Sequence, residues 1–300
     1  MGCGNGRTTE NYRKNNGYPI CLITISLTTE VDALIALNDN KLILGGKEEL
    51  QIFESENKTI KEISKEINGR INCLIKLSNG NIISGGQDNT IKIWDINKKE
   101  NLFTLKGHTS IIWDIHEIED NKLISASDDN KSKIWDLNTK KEICDLYQSN
   151  KQISSIAVLK NNKILLASGK ELLLFNLNTK KQECSLEIKR GVWSLKELSN
   201  GDIAVGISNG LLYIIQITDK ILIETIFVQG HKKTINCIIE LDNHKLVTSS
   251  DENDLILWDP NEPDSMYLLK GHNDIVTSLC YISGNKFASA SRDKTLKIWE

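Results

Sequence analysis

Several features are scarce or absent in this chain of 300 residues. It has only 3 prolines, and 39% of its residues are hydrophobic while 26% are charged. That composition is typical of a folded globular protein and excludes a disordered or collagen-like chain. No apolar stretch reaches the roughly 18 residues that a membrane-spanning helix needs. The length by itself allows one large domain or two ordinary ones.

Excess charge of either sign is also lacking. The chain has 37 lysines and arginines against 40 aspartates and glutamates, which gives a net charge of -3. A protein that binds nucleic acid chiefly through its phosphates needs an excess of positive charge. We therefore expect no nucleic acid partner.

Clustered metal ligands and cofactor motifs are missing as well. The 7 cysteines lie far apart, without the close pairs of a zinc site or a disulfide framework. Free thiols fit a reducing compartment, so we expect a cytoplasmic protein. His116 and His244 are isolated, and Gly45-Gly46-Lys47 lacks the following helix of a phosphate-binding loop. We expect no metal, no cofactor and no enzymatic activity.

What the chain does contain is an internal repeat. The segment Ile91-Lys92-Ile93-Trp94-Asp95 returns three times with few changes, and weaker copies complete a set of seven. The anchor residues of the set, spaced by 40 to 43 positions, are Phe53, Trp94, Trp135, Phe175, Ile215, Trp258 and Trp299. Alternation such as Ile91-Lys92-Ile93 is typical of strands, and a fixed period in this range predicts a repeat architecture.

Gly-His dipeptides precede three of the units, at Gly107-His108, Gly230-His231 and Gly271-His272. Together with the Trp-Asp pairs and the period, they make the chain resemble the WD-repeat β-propeller family, which includes the G-protein β subunit. The resemblance covers residues 20–300. It implies an all-β fold of seven four-stranded blades around a central channel. Residues 1–17 would form a flexible arm and 18–300 the propeller.

The same resemblance implies a hydrogen-bonded tetrad inside a blade, made of a His, a strand Ser or Thr, a turn Asp and the Trp. Two units carry the full set: His108, Ser125, Asp129 and Trp135, and His272, Ser289, Asp293 and Trp299. The sixth unit has Glu252 in place of the Asp, and the second keeps Ser84, Asp88 and Trp94. Such a set can imitate a catalytic triad, but its recurrence at repeat positions favours a structural role.

The last unit shows three strands before Glu300, so its blade needs an outer strand from elsewhere. The segment from Ile20 to Leu27 alternates as a half-buried strand does, and we expect it to close the ring. The alternative is a signal peptide, since Arg13 and Lys14 precede this apolar stretch. Polar residues interrupt the stretch and no small-residue cleavage site follows, which favours the closing strand.

Position-by-position comparison of the units predicts a binding surface. One position near the start of each inner strand is polar in five units, so we expect it to face solvent. Its seven residues are Asp32, Asn72, Trp113, Ser154, Trp193, Asn236 and Thr277. In the similar family this position lies on the top face beside the channel mouth and contacts partners. Trp113 and Trp193 stand outside the repeating core, and exposed tryptophan is typical of binding hot spots. The alternative is that a neighbouring loop covers each ring.

Cations accompany the two tryptophans. Only five arginines occur, and Arg70, Arg190 and Arg292 fall in loops beside the predicted mouth. Lys170 occupies a turn of the fourth unit, as Lys47 does in the first. We expect these side chains to line the top rim, where arginine suits a carboxylate or phosphate. The alternative is that they are merely solvated.

The amino terminus predicts a lipid anchor. Gly2 would accept myristate after removal of Met1, and Cys3 beside it would accept palmitate. Gly6 stands where the usual pattern has Ser or Thr, so the motif is imperfect. Acylation would associate the protein with membranes; the alternative is an ordinary disordered start.

These features predict a non-enzymatic scaffold or adaptor that docks a partner protein or peptide on the top face. Two alternatives stay open: a structural subunit of a large assembly, such as an axonemal or trafficking complex, and a ubiquitin-ligase substrate receptor. The receptor subclass carries Trp-Asp-x-Arg, whereas this chain has Asn97 and Asn138 at the corresponding positions. A footprint on the top face would favour an adaptor, and extensive side-face contact a fixed subunit.

Overall fold

The computed structural model describes residues 8–9, 19–65, 67–119, 121–218, 221–262 and 265–300. Within these ranges the chain forms strands joined by turns, with no helix. The strands assemble into seven antiparallel sheets. The predicted all-β, seven-bladed propeller is therefore confirmed.

Strands are numbered along the chain, and in blades 1 to 6 they run in order from the channel outward. The chain starts with β1 (Thr8–Thr9) and β2 (Cys21–Ser26), which belong to the last blade. Blade 1 contains β3 (Val31–Asn38), β4 (Lys41–Gly46), β5 (Leu50–Glu54) and β6 (Thr59–Ser64). Blade 2 contains β7 (Ile71–Lys76), β8 (Ile82–Gly86), β9 (Thr90–Asp95) and β10 (Glu100–Lys106). Blade 3 contains β11 (Ile112–Glu119), β12 (Lys122–Ser127), β13 (Lys131–Asp136) and β14 (Lys141–Gln148).

The remaining blades repeat this order. Blade 4 contains β15 (Ile153–Leu159), β16 (Lys163–Ser168), β17 (Glu171–Asn176) and β18 (Lys181–Glu187). Blade 5 contains β19 (Val192–Glu197), β20 (Ile203–Ile207), β21 (Leu211–Thr218) and β22 (Ile221–Gln229). Blade 6 contains β23 (Ile235–Glu240), β24 (Leu246–Ser250), β25 (Leu255–Trp258) and β26 (Met266–Leu269). Blade 7 contains β27 (Val276–Ser283), β28 (Lys286–Ser291) and β29 (Thr295–Trp299), followed by β2 and β1.

The inner strands make a closed ring. Each of them lies against the inner strand of the next blade, and β27 returns to β3. The apolar core is divided into clusters between blades: Ile124 of blade 3, for example, packs with Ile156 and Phe175 of blade 4. Both faces of a blade are thus covered by neighbours, which explains why the middle strands are buried along nearly their whole length.

The predicted closing strand is present. β2 pairs with β29 from Cys21 opposite Trp299 to Ser26 opposite Thr295. The backbones of Ile20 and Glu300 exchange hydrogen bonds of 2.9 and 3.1 Å, and Ile25 is buried in the core between blades 7 and 1. In the predicted amino-terminal arm, Thr8–Thr9 adds a short fifth strand to this blade. The other residues up to 18 lie outside the described part of the chain.

The Asp of each Trp-Asp pair has a local task. Asp95 Oδ1 accepts hydrogen bonds from the backbone N–H groups of Asn97 and Lys98, at 3.0 and 3.1 Å. This carboxylate pairs the free backbone N–H groups of the turn that follows the third strand, so the chain can reverse its direction within four residues. Lys99 then adopts φ 58°, a conformation that ends the turn and starts the outer strand.

Candidate functional site

The seven residues of the predicted surface position meet at one cavity. Antiparallel order and the closed ring make every inner strand begin at the same face of the propeller, which we call the top face. Asp32, Asn72, Trp113, Ser154, Trp193, Asn236 and Thr277 all line a cavity of about 370 Å³ there. We call it the mouth cavity. Its size lies in the usual range of sites that take a side chain or a small ligand.

Trp113 is held by its own blade. Its Nε1–H donates to Asp128 Oδ1 at 2.7 Å, and Asp128 lies in the turn between β12 and β13. Blade 6 repeats the geometry with other residues: Asn236 Nδ2 donates to Asp251 Oδ1 at 3.0 Å. The turn carboxylate therefore fixes the side chain at the mouth, and in blade 3 it orients an indole ring.

The Trp113 and Trp193 rings touch each other, and we call them the Trp pair. Their centroids lie 6.1 Å apart at an interplanar angle of 88°, an edge-to-face contact. Ser154 of blade 4 stands between them in sequence order. Because that serine is small and donates its hydroxyl to Val192 O at 2.7 Å, it leaves the space above blade 4 to the rings. Both tryptophans remain partly exposed.

Part of the expectation that this position simply faces solvent is wrong. Asn72, Ser154 and Thr277 donate hydrogen bonds to the backbone of the next inner strand. The Thr277 hydroxyl, for instance, lies 2.5 Å from Val31 O and so bridges blades 7 and 1. These small polar residues therefore join blades as well as line the cavity. Only a short side chain with a hydrogen-bond donor can reach the backbone carbonyl of the next inner strand, which explains why Asn, Ser and Thr occur at this position.

A side-chain hydrogen bond at or beside the inner strands joins every pair of neighbouring blades, and we call the set of these side chains the polar belt. Its members, in order from the junction of blades 7 and 1, are Thr277, Arg70, Asn72, Asp114, Ser154, Ser194 and Cys237. Asp114 Oδ2 accepts from Ser155 Oγ at 3.0 Å and from the Ile156 backbone N–H at 2.8 Å.

His116 is not isolated, because its Nε2 lies 3.2 Å from Asp114 Oδ1. Burial alone would lower the pKa of His116, but the charge and hydrogen bond of Asp114 raise it.

Arg70 is already paired within the chain. Its guanidinium donates to both oxygens of Asp32, at 2.9 and 2.7 Å, and to Glu30 Oε2 at 2.6 Å. Burial raises the pKa of Asp32, and the hydrogen bonds and charge of Arg70 oppose that rise. Two carboxylates surround one guanidinium, so a partner's acid at this point would have to displace Glu30 or Asp32.

The other predicted cations are exposed. Arg292 lines the mouth cavity. Lys170 and Arg190 come together beside the start of β19, where the Val192 N–H bonds Gly169 O and the Ile188 N–H bonds Lys170 O. Among the residues described by the structure, none of these three cations is within ion-pair distance of a carboxylate. Arg70 is thus paired with carboxylates of its own chain, whereas the other three predicted cations have no such pair among the described residues.

A groove leads across the top of blade 4 to the Trp pair. It encloses about 510 Å³ and runs from the turn of blade 3 to Trp193. We call it the blade 4 groove. Its lining residues are Asp128, Asn130, Asn150, Lys151, Gln152, Gly169, Gly191, Val192 and Trp193. The sequence comparison missed it, because it depends on loop shapes rather than on residues at one repeat position.

The two tetrads have the expected residues in contact. In blade 3, His108 Nδ1–H donates to Asp129 Oδ2 at 2.7 Å, and the hydroxyl of Ser125 donates to His108 Nε2 at 2.7 Å. Trp135 Nε1–H completes the chain by donating to Ser125 Oγ at 2.8 Å. Burial lowers the pKa of His108 and outweighs Asp129, so the imidazole stays neutral and can accept from the serine.

Blade 7 repeats this chain with His272, Ser289, Asp293 and Trp299. Burial would raise the pKa of Asp293, but its hydrogen bonds, among them that from His272, hold this pKa well below its usual range. In blade 6, Glu252 reaches His231 Nδ1 at 3.3 Å, so the longer acid takes the place of the usual Asp. Trp94 in blade 2 still donates to Ser84 at 2.8 Å without any histidine.

Other predictions concern metals, thiols and membranes. Outside the residues left undescribed, no cluster of three or more His, Cys, Asp or Glu side chains could hold a metal ion. The six cysteines of the described ranges are free thiols. None of the described segments is a helix of the length and apolar character needed to cross a membrane. Gly2 and Cys3 lie outside the described residues, and their acylation stays a prediction.

Comparison with known proteins places these features in context. The family model described as "WD domain, G-beta repeat" matches residues 57–95, 99–136, 222–259 and 264–300. These are the four units that carry the core tryptophan. The solved WD40 β-propeller domain of Doa1 superimposes with a TM-score of 0.84 at 18% identity, covering 95% of this chain and 98% of that one. At that identity the likeness concerns the fold alone.

Curated proteins match over shorter stretches. Human WD repeat-containing protein 37 is 34% identical over 74 residues, which are 24% of this chain and 15% of that protein. Protein Notchless of Drosophila melanogaster is 30% identical over 78 residues, 24% of this chain and 16% of that protein. The THO complex subunit 6 homolog of Danio rerio is 39% identical over 69 residues, 22% of this chain and 21% of that protein. The chain thus spans about a fifth or less of the length of these relatives.

Proposed function

From the premise that this chain belongs to the family of proteins built from the WD domain, G-beta repeat, we propose that it is a scaffold whose top face docks a partner protein or peptide. Propellers of this family generally serve protein interaction and are typically not enzymes. The observation that carries the proposal is the Trp pair at the mouth cavity. Two large aromatic side chains held in a concave, partly exposed site are typical of a binding hot spot.

The tetrads support a non-enzymatic role. Their His, Asp and Ser contacts resemble those of a hydrolase triad, but Ser125 and Ser289 are completely buried. Each serine oxygen also accepts a hydrogen bond from a core tryptophan, at 2.8 Å in both blades. A substrate carbonyl could not reach these hydroxyls without opening the blade. The sets therefore stabilise blades 3 and 7.

The test is to purify the tagged protein with its partners, under mild detergent, and identify them by mass spectrometry. Trp113→Ala and Trp193→Ala should lose the partners that the parent captures, because each removes a ring at the centre of the proposed site. Lys47→Glu, on the far blade 1 of the same face, serves as the control and should retain them. Stable Trp variants that capture the same partners as the parent would refute the top-face site.

A second candidate function, a fixed subunit of a large assembly, is favoured by the side of blades 5 and 6. Ile223 on β22 and Met266 and Leu268 on β26 expose 43% to 51% of their surface, on the outer strands of two successive blades. Exposed apolar side chains on neighbouring elements are typical of contact surfaces. Leu268→Glu should release such an assembly and leave top-face partners bound. Chemical cross-links confined to the top face would rule this candidate out.

A further inference from the structure

Four cations on the top of blade 4 have no carboxylate within ion-pair distance among the described residues. They are Lys151, Lys170, Lys189 and Arg190, which we call the basic quartet. All four are exposed. The Lys151 stem lies against Gly169, the carbonyl of Lys170 accepts a hydrogen bond from the Ile188 N–H, and Lys189 and Arg190 follow Ile188 in the same loop. The loops on either side of blade 4 and its own turn thus bring the four residues to one region. Arg70, by contrast, is paired with Glu30 and Asp32. The chain as a whole carries a charge of -3, so this local excess of positive charge is an exception.

The acids nearest in sequence do not neutralise the quartet. Glu171 and Glu187 lie opposite each other on β17 and β18, and both are exposed. Asp128 at the far end of the blade 4 groove accepts the hydrogen bond of Trp113. Unpaired like charges close together repel one another, and an anionic ligand would relieve this repulsion.

Trp193 contributes an unused donor beside these cations. Its ring lines both the mouth cavity and the blade 4 groove. Whereas Trp113 Nε1–H bonds Asp128, Trp193 Nε1–H has no acceptor in the ranges that the structure describes. A half-buried indole N–H normally finds a partner. A carbonyl or carboxylate oxygen of a ligand in the groove would supply it.

Two glycines shape the floor of the groove. Gly169 adopts φ +60°, and a Cβ there would lie only 2.5 Å from Lys151 Cδ, so its lack of a side chain lets the Lys151 stem lie across the turn. Gly191 differs, because a Cβ there would lie 3.7 Å from both Ser208 Oγ and Trp193 Nε1, which is ordinary contact. Its backbone is not in the left-handed region. A Cβ at Gly191 therefore fits without strain, and a larger side chain there would project into the groove that Gly191 lines.

On the blade 1 side of the mouth, acids and cations are mixed. Glu30 and Asp32 pair with Arg70 there, and Lys47 and Arg292 are further cations. An acidic ligand therefore meets more unpaired cations at blade 4 than at blade 1, which favours the blade 4 side.

We propose that the ligand of the top face is an acidic segment of a partner protein, which lies in the blade 4 groove against Lys151 and places further carboxylates on the other cations of the basic quartet beside the groove. An apolar side chain of the segment enters the mouth cavity against the Trp pair. This inference rests on the proposed function and specifies its ligand. A flat membrane surface fits less well, because the Trp pair is recessed in a cavity and the groove is concave.

The test uses a phage-displayed library of random dodecapeptides, selected on the full-length protein. Enriched peptides should be rich in Asp and Glu and carry at least one large apolar residue. Reversing two charges with Lys170→Glu and Arg190→Glu should weaken a selected peptide about tenfold or more, less so at high salt. Gly191→Leu should block it while the thermal melt stays unchanged. Lys47→Glu is the matched control, since it reverses a charge in the corresponding turn of blade 1.

The other outcomes separate this inference from the function on which it rests. Neutral or basic peptides whose binding is lost in Trp193→Ala would overturn the acidic class and leave the top-face function standing. Peptides that bind Trp193→Ala and Gly191→Leu like the parent would overturn both. Quartet-dependent sedimentation with phosphatidylserine vesicles, with no peptide enriched, would assign the surface to lipid and overturn the inference.

Discussion

The indole ring of Trp113 meets that of Trp193 edge to face at 6.1 Å, although the two residues belong to blades 3 and 5. The contact spans the inner edge of blade 4, where Ser154 is too small to intervene. Each ring therefore limits the motion of the other, so the proposed partner would meet a preformed aromatic surface rather than two independent side chains.

Truncation of either ring should weaken partner binding by about 2 kcal/mol or more, as expected for a hot spot. The double variant should cost less than the sum of the single variants, because an edge-to-face pair contributes about 0.5–1.5 kcal/mol that each single variant already loses. Binding titrations of the three variants measure this coupling. The fold should survive, since neither ring lies in the clusters between blades; strictly additive losses would contradict the contact.

The polar belt makes a separate prediction for Thr277. Thr277→Val keeps the shape of the side chain but removes the hydroxyl that bridges blade 7 to Val31 of blade 1. We expect unfolding free energy to fall by about 1–3 kcal/mol, since the partly buried carbonyl loses its donor. Thr109→Val is the control, because Thr109 is exposed and no described residue bonds its hydroxyl. Equal denaturation midpoints for the two variants would show that the belt does not stabilise the ring.

Ring closure can be tested by truncation. Removing residues 1–28 deletes β2, exposes the edge of β29 and takes Ile25 and Leu27 out of the core. Removing residues 1–16 deletes only the two-residue β1 from the described strands. We expect the first truncation to lower the melting temperature strongly and to promote aggregation, and the second to change it little. Similar melting curves for both would mean that β2 does not hold the ring closed.

The tetrad in blade 7 predicts a specific loss of stability. Asp293→Ala leaves His272 Nδ1 without its carboxylate partner, which should cost about 1–3 kcal/mol. Asp254→Ala removes an acid that makes no hydrogen bond to any described residue, so it should be nearly neutral. Chemical denaturation compares the two variants. If the tetrad does not stabilise the fold, the two variants will have the same denaturation midpoint.

Stability should fall as the solution is acidified from pH 7 towards pH 5. Burial lowers the pKa of His108, His231 and His272, outweighing their acidic partners, so the unfolded chain takes up protons at these sites before the folded one does. Their contribution is complete above the usual histidine pKa of about 6.5 and is lost below it. His116 has a raised pKa and acts in the opposite sense, but it is one group against three.

Thermal melts at several pH values measure this dependence. His272→Gln should reduce it by about a third, since it removes one of the three buried imidazoles. A melting temperature that rises as the pH is lowered from 7 to 5 would contradict this prediction and show that these histidines are protonated in the folded protein.

Much of the fold was predictable because its signals are local and repeated. The Trp-Asp pair marks a third strand and its turn, since Asp95 bonds to residues two and three positions later. The tetrad residues recur at set offsets within a blade, so the family resemblance could assign His108, Ser125 and Asp129 from the sequence. The alternation from Ile20 to Leu27 likewise indicated a strand, and the structure pairs it with β29.

The sequence alone therefore determined the number of blades and the core positions, because each follows from a pattern that recurs about every forty residues. The alternation from Ile20 to Leu27 indicated the closing strand, and the resemblance to the WD-repeat family implied which residues reach the mouth of the channel. Only the tertiary structure decided how those mouth residues pair. Thr277 and Val31 are 246 positions apart, Arg70 bonds Asp32 38 positions away, and Trp113 touches Trp193 across a whole blade. Such contacts depend on the curvature of the ring and on the size of the intervening side chain. Repeat spacing does not encode either of these, so only the tertiary structure shows that Arg70 is paired within the chain while the basic quartet has no carboxylate within ion-pair distance among the described residues.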